Sequence, residues 1–354
     1  MKRVLAINPG ATSTKVAIFD DETVVLKKTV EHQGTELKDF ATVFDQCRYR
    51  LDLILTTLQE ASIPLNSLHA IVARGGLLKP LAGGTYAVNE KMVEDLKKAE
   101  RGEHASNLGA ALAYTLAQDL QIPAYIVDPV SVDELEPVAR VSGSPDFERI
   151  SMAHALNMKA VARKVAAEIG KRYEDAALVI AHLGTGVSLS VHKNGKMIDV
   201  IDGKEEGPFA PDRCGGLPAS QLVKLCYSGK YTYEELRKKI FGSGGFYGYL
   251  GTKDIRDVEK MAADGDAKAE LLLEAFCYQV AKEIGALSTV LRGQVDRIVL
   301  TGGIAYSQRV VGDITDRVKS LAPVVVVPGE EELGSLAEGA LRVLRGEEQA
   351  KIYQ

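Results

Sequence analysis

A strand, a turn of small residues, a second strand, a polar turn and a third strand occur in that order twice, at residues 4–25 (VLAINPGATSTKVAIFDDETVV) and 178–198 (LVIAHLGTGVSLSVHKNGKMI). Each copy reads as a β-meander, and the recurrence predicts an internal structural duplication. The first half carries strands at 4–8, 15–20 and 24–30. A helical face of Phe44, Cys47, Leu51, Ile54, Leu55 and Leu58 follows, then a strand at 69–73, helices near 89–100 and 106–120, and a strand at 124–127. The second half opens with a helix bearing Met152, Leu156, Val161, Val165 and Ile169. It restarts with strands at 178–183, 187–192 and 197–201, passes a long helix around Leu271 to Leu291, and closes with strands at 297–300 and 324–327 and a helix through Leu336, Ala340 and Leu344.

At about 150 residues per domain, a chain of 354 residues accommodates two domains. Hydrophobic residues are 46% and charged residues 26%, with 12 prolines, which excludes long disorder. Lys plus Arg is 43 against 48 Asp plus Glu, a net charge of −5, and no stripe of basic residues marks a nucleic-acid surface. Cys47, Cys214, Cys226 and Cys277 form no CxxC pair, so neither a disulfide framework nor a thiolate zinc site is expected and a reducing cytoplasm fits best. The stretch from Met1 to Ile7 starts like a signal peptide, but Asn8-Pro9-Gly10 ends its apolar run. No apolar run approaches the length of a membrane span, so no membrane partner is expected.

Three glycine turns carry the chemistry. Asn8-Pro9-Gly10-Ala11-Thr12-Ser13-Thr14-Lys15 offers close backbone approach, hydroxyls and a charge to an anion. It lacks the spacing of a Walker loop and leads into a strand. His182-Leu183-Gly184-Thr185-Gly186 occupies the same place in the second half and is flanked by strands, unlike a dinucleotide fingerprint. Leu300-Thr301-Gly302-Gly303-Ile304 ends a strand and opens a helix, a setting suited to a phosphate or nucleoside. Together the turns point to a nucleotide-using α/β protein.

These turns, with Ala73-Arg74-Gly75-Gly76, Gly102-Glu103-His104-Ala105-Ser106-Asn107-Leu108-Gly109 and Pro211-Asp212-Arg213-Cys214-Gly215-Gly216, make the chain resemble the acetokinase family of the acetate and sugar kinase, Hsc70 and actin superfamily. The resemblance covers nearly the whole length. It implies duplicated ribonuclease H-like (actin-like ATPase) α/β domains, each with a βββαβαβα core, enclosing a cleft. The N-terminal domain is expected at 1–148 plus about 331–354, and the nucleotide-binding domain at 149–330. The activity implied is reversible transfer of the ATP γ-phosphoryl group to butyrate or a related short or branched-chain carboxylate, with ATP/ADP and Mg²⁺ as cofactors and a homodimer or higher homo-oligomer as the assembly.

Residue by residue, Asn8, Ser13 and Lys15 match the first phosphate motif, while Ala11 departs from the Ser of acetate kinases. His182 with Gly184, Thr185 and Gly186 matches the second phosphate motif. Arg213 matches the arginine that stabilises the transferring phosphoryl group. Asp254 and Arg256, with Gly302, Gly303 and Ile304, match the adenosine side. Asp128 matches the acid that holds Mg²⁺ through water, and Glu331, flanked by Glu330 and Glu332, aligns with a second carboxylate near the metal. His104 and His154 match substrate-side histidines. The family's carboxylate-binding arginine falls on Ile71, so Arg74 is expected to supply that charge instead; Ile71 and Ile150, at family polar positions, favour a longer acyl chain. Two rivals stand beside this reading: an acetate or propionate kinase, and an ATP-gated binding protein of the actin or Hsp70 kind.

Overall fold

The computed structural model describes residues 1–32 and 34–354. Its strands, in chain order, are β1 (Arg3–Pro9), β2 (Ser13–Asp20), β3 (Thr23–Glu31), β4 (Ala70–Arg74), β5 (Thr85–Ala87), β6 (Ala124–Val127), β7 (Leu178–Leu183), β8 (Val187–Lys193), β9 (Lys196–Ile201), β10 (Arg297–Gly302), β11 (Val324–Pro328) and β12 (Lys351–Ile352). Two compact units emerge. The first comprises Met1–Val132, Ala155–Asn157 and Glu331–Gln354, and the second comprises Asp133–His154 and Met158–Glu330.

The first unit holds a sheet in the order β12-β5-β6-β4-β1-β2-β3 and the second a sheet in the order β11-β10-β7-β8-β9. Read as β6-β4-β1-β2-β3, the first repeats the second strand for strand, with β5 and β12 added at one edge. In both units the opening hairpins are antiparallel, and β1, β4 and β6, like β7, β10 and β11, pair in parallel, while the added β5 joins β6 antiparallel. Both second hairpins carry a register irregularity, between Ile18 and Phe19 and between Val191 and His192. The duplication inferred from the strand pattern is therefore present in the topology.

Helices cover both faces of the first sheet, which explains why β1 is apolar and buried from Val4 to Ile7 instead of alternating. Leu5, Ile7, Ile18, Ile71 and Ala73 pack with Ile54 and Leu58 of helix Cys47–Glu60 and with Leu108 and Leu112 of helix Asn107–Leu120. On the other face Val4, Ala6, Val72 and Val127 pack with Leu336 and Ala340 of the final helix, Glu332–Leu344. Ile71 is fully buried in this core. It cannot line an acyl pocket, which corrects the expectation drawn from its family position.

In the second unit the long helix Ala267–Val290 sets Phe276, Val280 and Ile284 against β7 and β8. Arg149 fastens the segment after Val132 to β9, donating to both Glu206 oxygens at 2.8 and 2.9 Å, to Asp199 at 3.1 Å and to the Val200 carbonyl at 2.7 Å.

Gly109, in the first turn of helix Asn107–Leu120, lets that helix lie directly on the end of β4: a Cβ there would collide with the Arg74 carbonyl. Gly109→Ala should push the helix off the sheet, lowering stability by about 1–3 kcal/mol, measurable by denaturant unfolding.

Candidate functional site

Strand interiors in these sheets are apolar, so polar chemistry collects where strands end. In the first unit Ile7 lies opposite Ala73 and Arg74 opposite Val127, which puts Asn8, Arg74 and Asp128 at the carboxyl ends of three adjacent parallel strands. Such ends are the usual ligand-binding edge of an open α/β sheet. Asn8 is buried and donates from Nδ2 to Glu332 Oε2 at 2.5 Å. Arg74 Nη1 meets Glu332 Oε1 at 2.6 Å. Asp128 takes a left-handed φ of 37°, unusual for a residue with a side chain, and its carboxylate accepts the Gly84 amide at 2.6 Å.

The three neighbouring glutamates go to different places. Glu330 meets His182, Glu331 is 80% exposed beside Lys27, and Glu332 is the partner of Asn8 and Arg74. The carboxylate gathered with the first phosphate motif is thus Glu332, not the aligned Glu331.

His104 lies near Arg74. Burial first, and the Arg74 charge second, hold its imidazole below the ordinary histidine range. Its Nδ1 accepts the Ser106 amide at 3.2 Å, with the Ser106 hydroxyl 2.8 Å away, so the neutral ring carries its proton on Nε2. Ser13 opens β2, and Lys15 is exposed with no ion pair among the described residues.

In the second unit His182, fully buried in β7, stacks on His154 with ring centroids 3.8 Å apart and a 13° interplanar angle. His182 Nε2 lies 3.0 Å from Glu330 Oε1, and His154 Nδ1 lies 2.8 Å from the Ser188 hydroxyl. Ser188 pairs with His182 across the hairpin. Two histidines from distant segments are therefore one structural pair.

Gly184 and Gly186 close the turn after β7 through an amide-to-carbonyl bond of 3.1 Å. The Arg213 guanidinium lies against Gly186, where any Cβ would overlap its Nη1, and over the Phe241 ring at 4.5 Å. Its own carboxylate neighbour is loose: Asp212 is 3.8 Å from Arg213 Nε but 2.9 Å from Lys253 Nζ. Arg213 thus keeps charge available for an anion at the turn.

A cavity of about 710 Å³ adjoins the same turn, lined by residues including Gly184, Thr185, Arg256, Gly303, Ile304 and Ser307. Asp254 lines it too and caps helix Ile255–Ala263, accepting the Arg256 amide; its paired Arg256 guanidinium holds the carboxyl down to about 2. Gly302 has φ 89° and lies so close to Leu183 that a Cβ would strike its backbone, which seats β10 beside β7 at the turn.

Two residues with evident electrostatic weight escape motif reading. Glu259 lines the cavity and accepts the Ser307 hydroxyl. Asp202, buried at the end of β9, acts on Arg213 through space, and burial lifts its carboxyl to about 6. The only hint in sequence is an acid directly after the apolar Met197–Ile201 strand.

The comparisons decide the family. Residues 149–327 match the profile described as the acetokinase family. The chain is 56% identical over 357 residues, the full length of both proteins, to butyrate kinase 1 of Clostridium acetobutylicum. The chain belongs to the acetokinase family. Solved structures agree on the fold. An acetate kinase of Porphyromonas gingivalis has a TM-score of 0.80 at 17% identity, covering 97% of this chain and 100% of the other. A propionate kinase of Francisella tularensis gives 0.74 at 19%, covering 96% and 99%. The fold of this acetokinase-family chain is the duplicated ribonuclease H-like, actin-like ATPase one.

Asp202 yields a test. Its folded pKa of about 6 lies above the ordinary 3.8, so the folded chain holds the extra proton between those values and loses stability as pH rises through them. Asp202→Asn, which still accepts the Lys204 amide, should be more stable than the parent at pH 7–8 by about 2 kcal/mol. The advantage should vanish below about pH 4 in thermal unfolding scans.

Proposed function

We propose that this acetokinase-family chain catalyses reversible transfer of the γ-phosphoryl group of ATP to butyrate, or a closely related short or branched-chain carboxylate, giving the acyl phosphate and ADP. The observation that carries the substrate is the 56% identity along the whole length to a butyrate kinase. The arrangement of charges supports the chemistry. A carboxylate of pKa about 4 to 5 is ionised at neutral pH and attacks phosphorus without a general base. One carboxylate oxygen forms the new P–O bond as the bond from phosphorus to the β-phosphate oxygen breaks, and ADP leaves with that electron pair.

In this reading the second unit holds the nucleotide. Gly303, Ile304, Asp254 and Arg256 line the adenosine side, the Gly184-Thr185-Gly186 turn receives phosphate oxygens, and Arg213 neutralises charge on the transferring group. His182, stacked on His154, stands beside that turn with Glu330 close to its Nε2. Asn8, Ser13 and Lys15 are assigned to phosphate oxygens, and Arg74 with His104 to the acid. Glu332 sits between Asn8 and Arg74 and sets how firmly each is held.

No cluster of three or more His, Cys, Asp or Glu side chains among the described residues could cage a metal. That suits Mg²⁺, which keeps most of its waters and binds chiefly to substrate phosphates. Asp128 and Glu332, at the ends of β6 and the segment after β11, would hold it through water. The bound ion would neutralise phosphate charge during transfer. The same reading takes the protein as a cytoplasmic homo-oligomer joined through the second unit. Free thiols at all four cysteines and the exposed Leu217, Val223, Tyr227 and Tyr233 support it.

Acyl phosphate trapped as the hydroxamate, with ATP, Mg²⁺ and acids from acetate to valerate including isobutyrate, should show the highest kcat/KM at four carbons. A maximum at acetate would make this an acetate kinase, and ATP turnover without any acyl phosphate would overturn the reading. In the same assay Arg213→Ala should lower kcat by about 10³-fold, with KM for the acid little changed. Arg74→Ala should raise KM for the acid; an unchanged KM would remove Arg74 from the acid site.

A further inference from the structure

Beneath the first phosphate turn lies a side chain that no motif includes. Arg50, on helix Cys47–Glu60, is 1% exposed, one of the largest fully buried side chains in the protein. Its Nη1 donates to the carbonyls of Gly10 at 2.9 Å and Ser13 at 3.2 Å and to Thr14 Oγ1 at 3.0 Å. Nη2 reaches the Ala11 carbonyl at 3.5 Å and, with Nε, holds Gln46 Oε1 at 2.8 and 3.1 Å. Every one of these acceptors is neutral, and no carboxylate is among the charges acting on Arg50 in the described residues. A buried charge normally demands a counter-charge. Here the guanidinium is satisfied as a donor while its positive charge stays uncancelled.

The turn responds to this geometry. The carbonyls of Gly10, Ala11 and Ser13 are taken by Arg50, and that of Thr12 accepts the His32 amide at 2.8 Å. The amides of Ala11 and Thr12, both exposed residues, have no acceptor among the described residues. Two successive exposed amides without a protein acceptor, beside a buried cation, are open to the oxygens of an anion. Arg50 can only donate, so Thr14 Oγ1 accepts from it, and the same hydroxyl is hydrogen-bonded to His32 Nε2 at 2.8 Å. Burial and the Arg50 charge hold His32 down to about 4, so the ring stays neutral and able to accept at physiological pH.

We propose that Arg50 is a positioning residue for phosphoryl transfer: it draws the carbonyls of the Gly10–Ser13 turn inward, leaves the Ala11 and Thr12 amides free for phosphate oxygens, and supplies uncompensated positive charge from below. The inference rests on the phosphotransfer reading and on the first turn as a phosphate site. It differs from a packing role because lysine, with the same charge, cannot span four acceptors at once.

Arg50→Lys and Thr14→Val in the full chain test it, the second removing only the hydroxyl between Arg50 and His32. Arg50→Lys should lower kcat for acyl phosphate synthesis about 100-fold, Thr14→Val about 10-fold, with KM for butyrate within about threefold of the parent. Saturating ATP should raise the melting temperature of Arg50→Lys less than that of the parent. A folded Arg50→Lys with parental kcat and parental stabilisation by ATP would overturn the proposal, as would a lower melting temperature alone with turnover per folded molecule unchanged. If Arg50→Lys does not fold, Thr14→Val with parental kcat overturns it. Should the parent make no acyl phosphate from any acid, the phosphotransfer reading fails, while the ATP-stabilisation comparison still decides the role of Arg50 at the turn.

Discussion

Burial of β1, β4 and β7 on both faces leaves their backbones no room for polar side chains except where the strands stop. That constraint organises both units. Asn8, Arg74 and Asp128 stand in a row because β1, β4 and β6 pair in register, and His182, Thr301 and the glycines beyond them line up because β7 and β10 do. Hydrophobic burial, which is non-directional, fixes the sheet; the backbone ladder, which is directional, converts it into a ruler that spaces the functional groups.

Electrostatics then separates the cations into two kinds. Arg149 is saturated by Glu206 and Asp199 and holds the segment before helix Ala155–Glu168 to β9, while the exposed Arg256 is paired with Asp254 at the cavity. Arg50 is the contrast, buried against neutral carbonyls and a hydroxyl, and half-buried Arg213 comes between, packed on an aromatic ring with Asp212 no nearer than 3.8 Å. An enzyme that must attract a polyphosphate and a carboxylate needs positive charge that its own acids have not already cancelled, placed where solvent does not screen it. Both arginines lie against glycine-bearing turns, where the missing side chain allows the approach.

The duplication was legible because a hairpin's strand and turn signals are local: the pattern at 4–25 predicts the one at 178–198, and the same strand order follows in each sheet. The glycine turns, Arg213 and the histidines were legible through motifs for the same reason. Glu332 was not separable from Glu330 and Glu331, since three successive acids in a first helical turn carry no information about which way each side chain leaves. Ile71 misled, because a position in a motif does not say which face of a strand it occupies, and the alternation along β4 sends it into the core. Arg50 leaves only a faint trace in the sequence: a cation three residues after Cys47 and four before Ile54, on the apolar stripe of its helix.

The sequence by itself determined the class of fold, the succession of its strands apart from the short β5 and β12, the family and the identity of the turns, because each of these follows from short-range periodicity and from residue types at fixed spacing. The tertiary structure alone decided the partnerships: His154 on His182, Glu332 between Asn8 and Arg74, Arg50 under Gly10. Those depend on which strand ends and helix faces are brought within a few ångströms of one another by packing over the whole unit, and hydrogen bonds and ion pairs act only at that range.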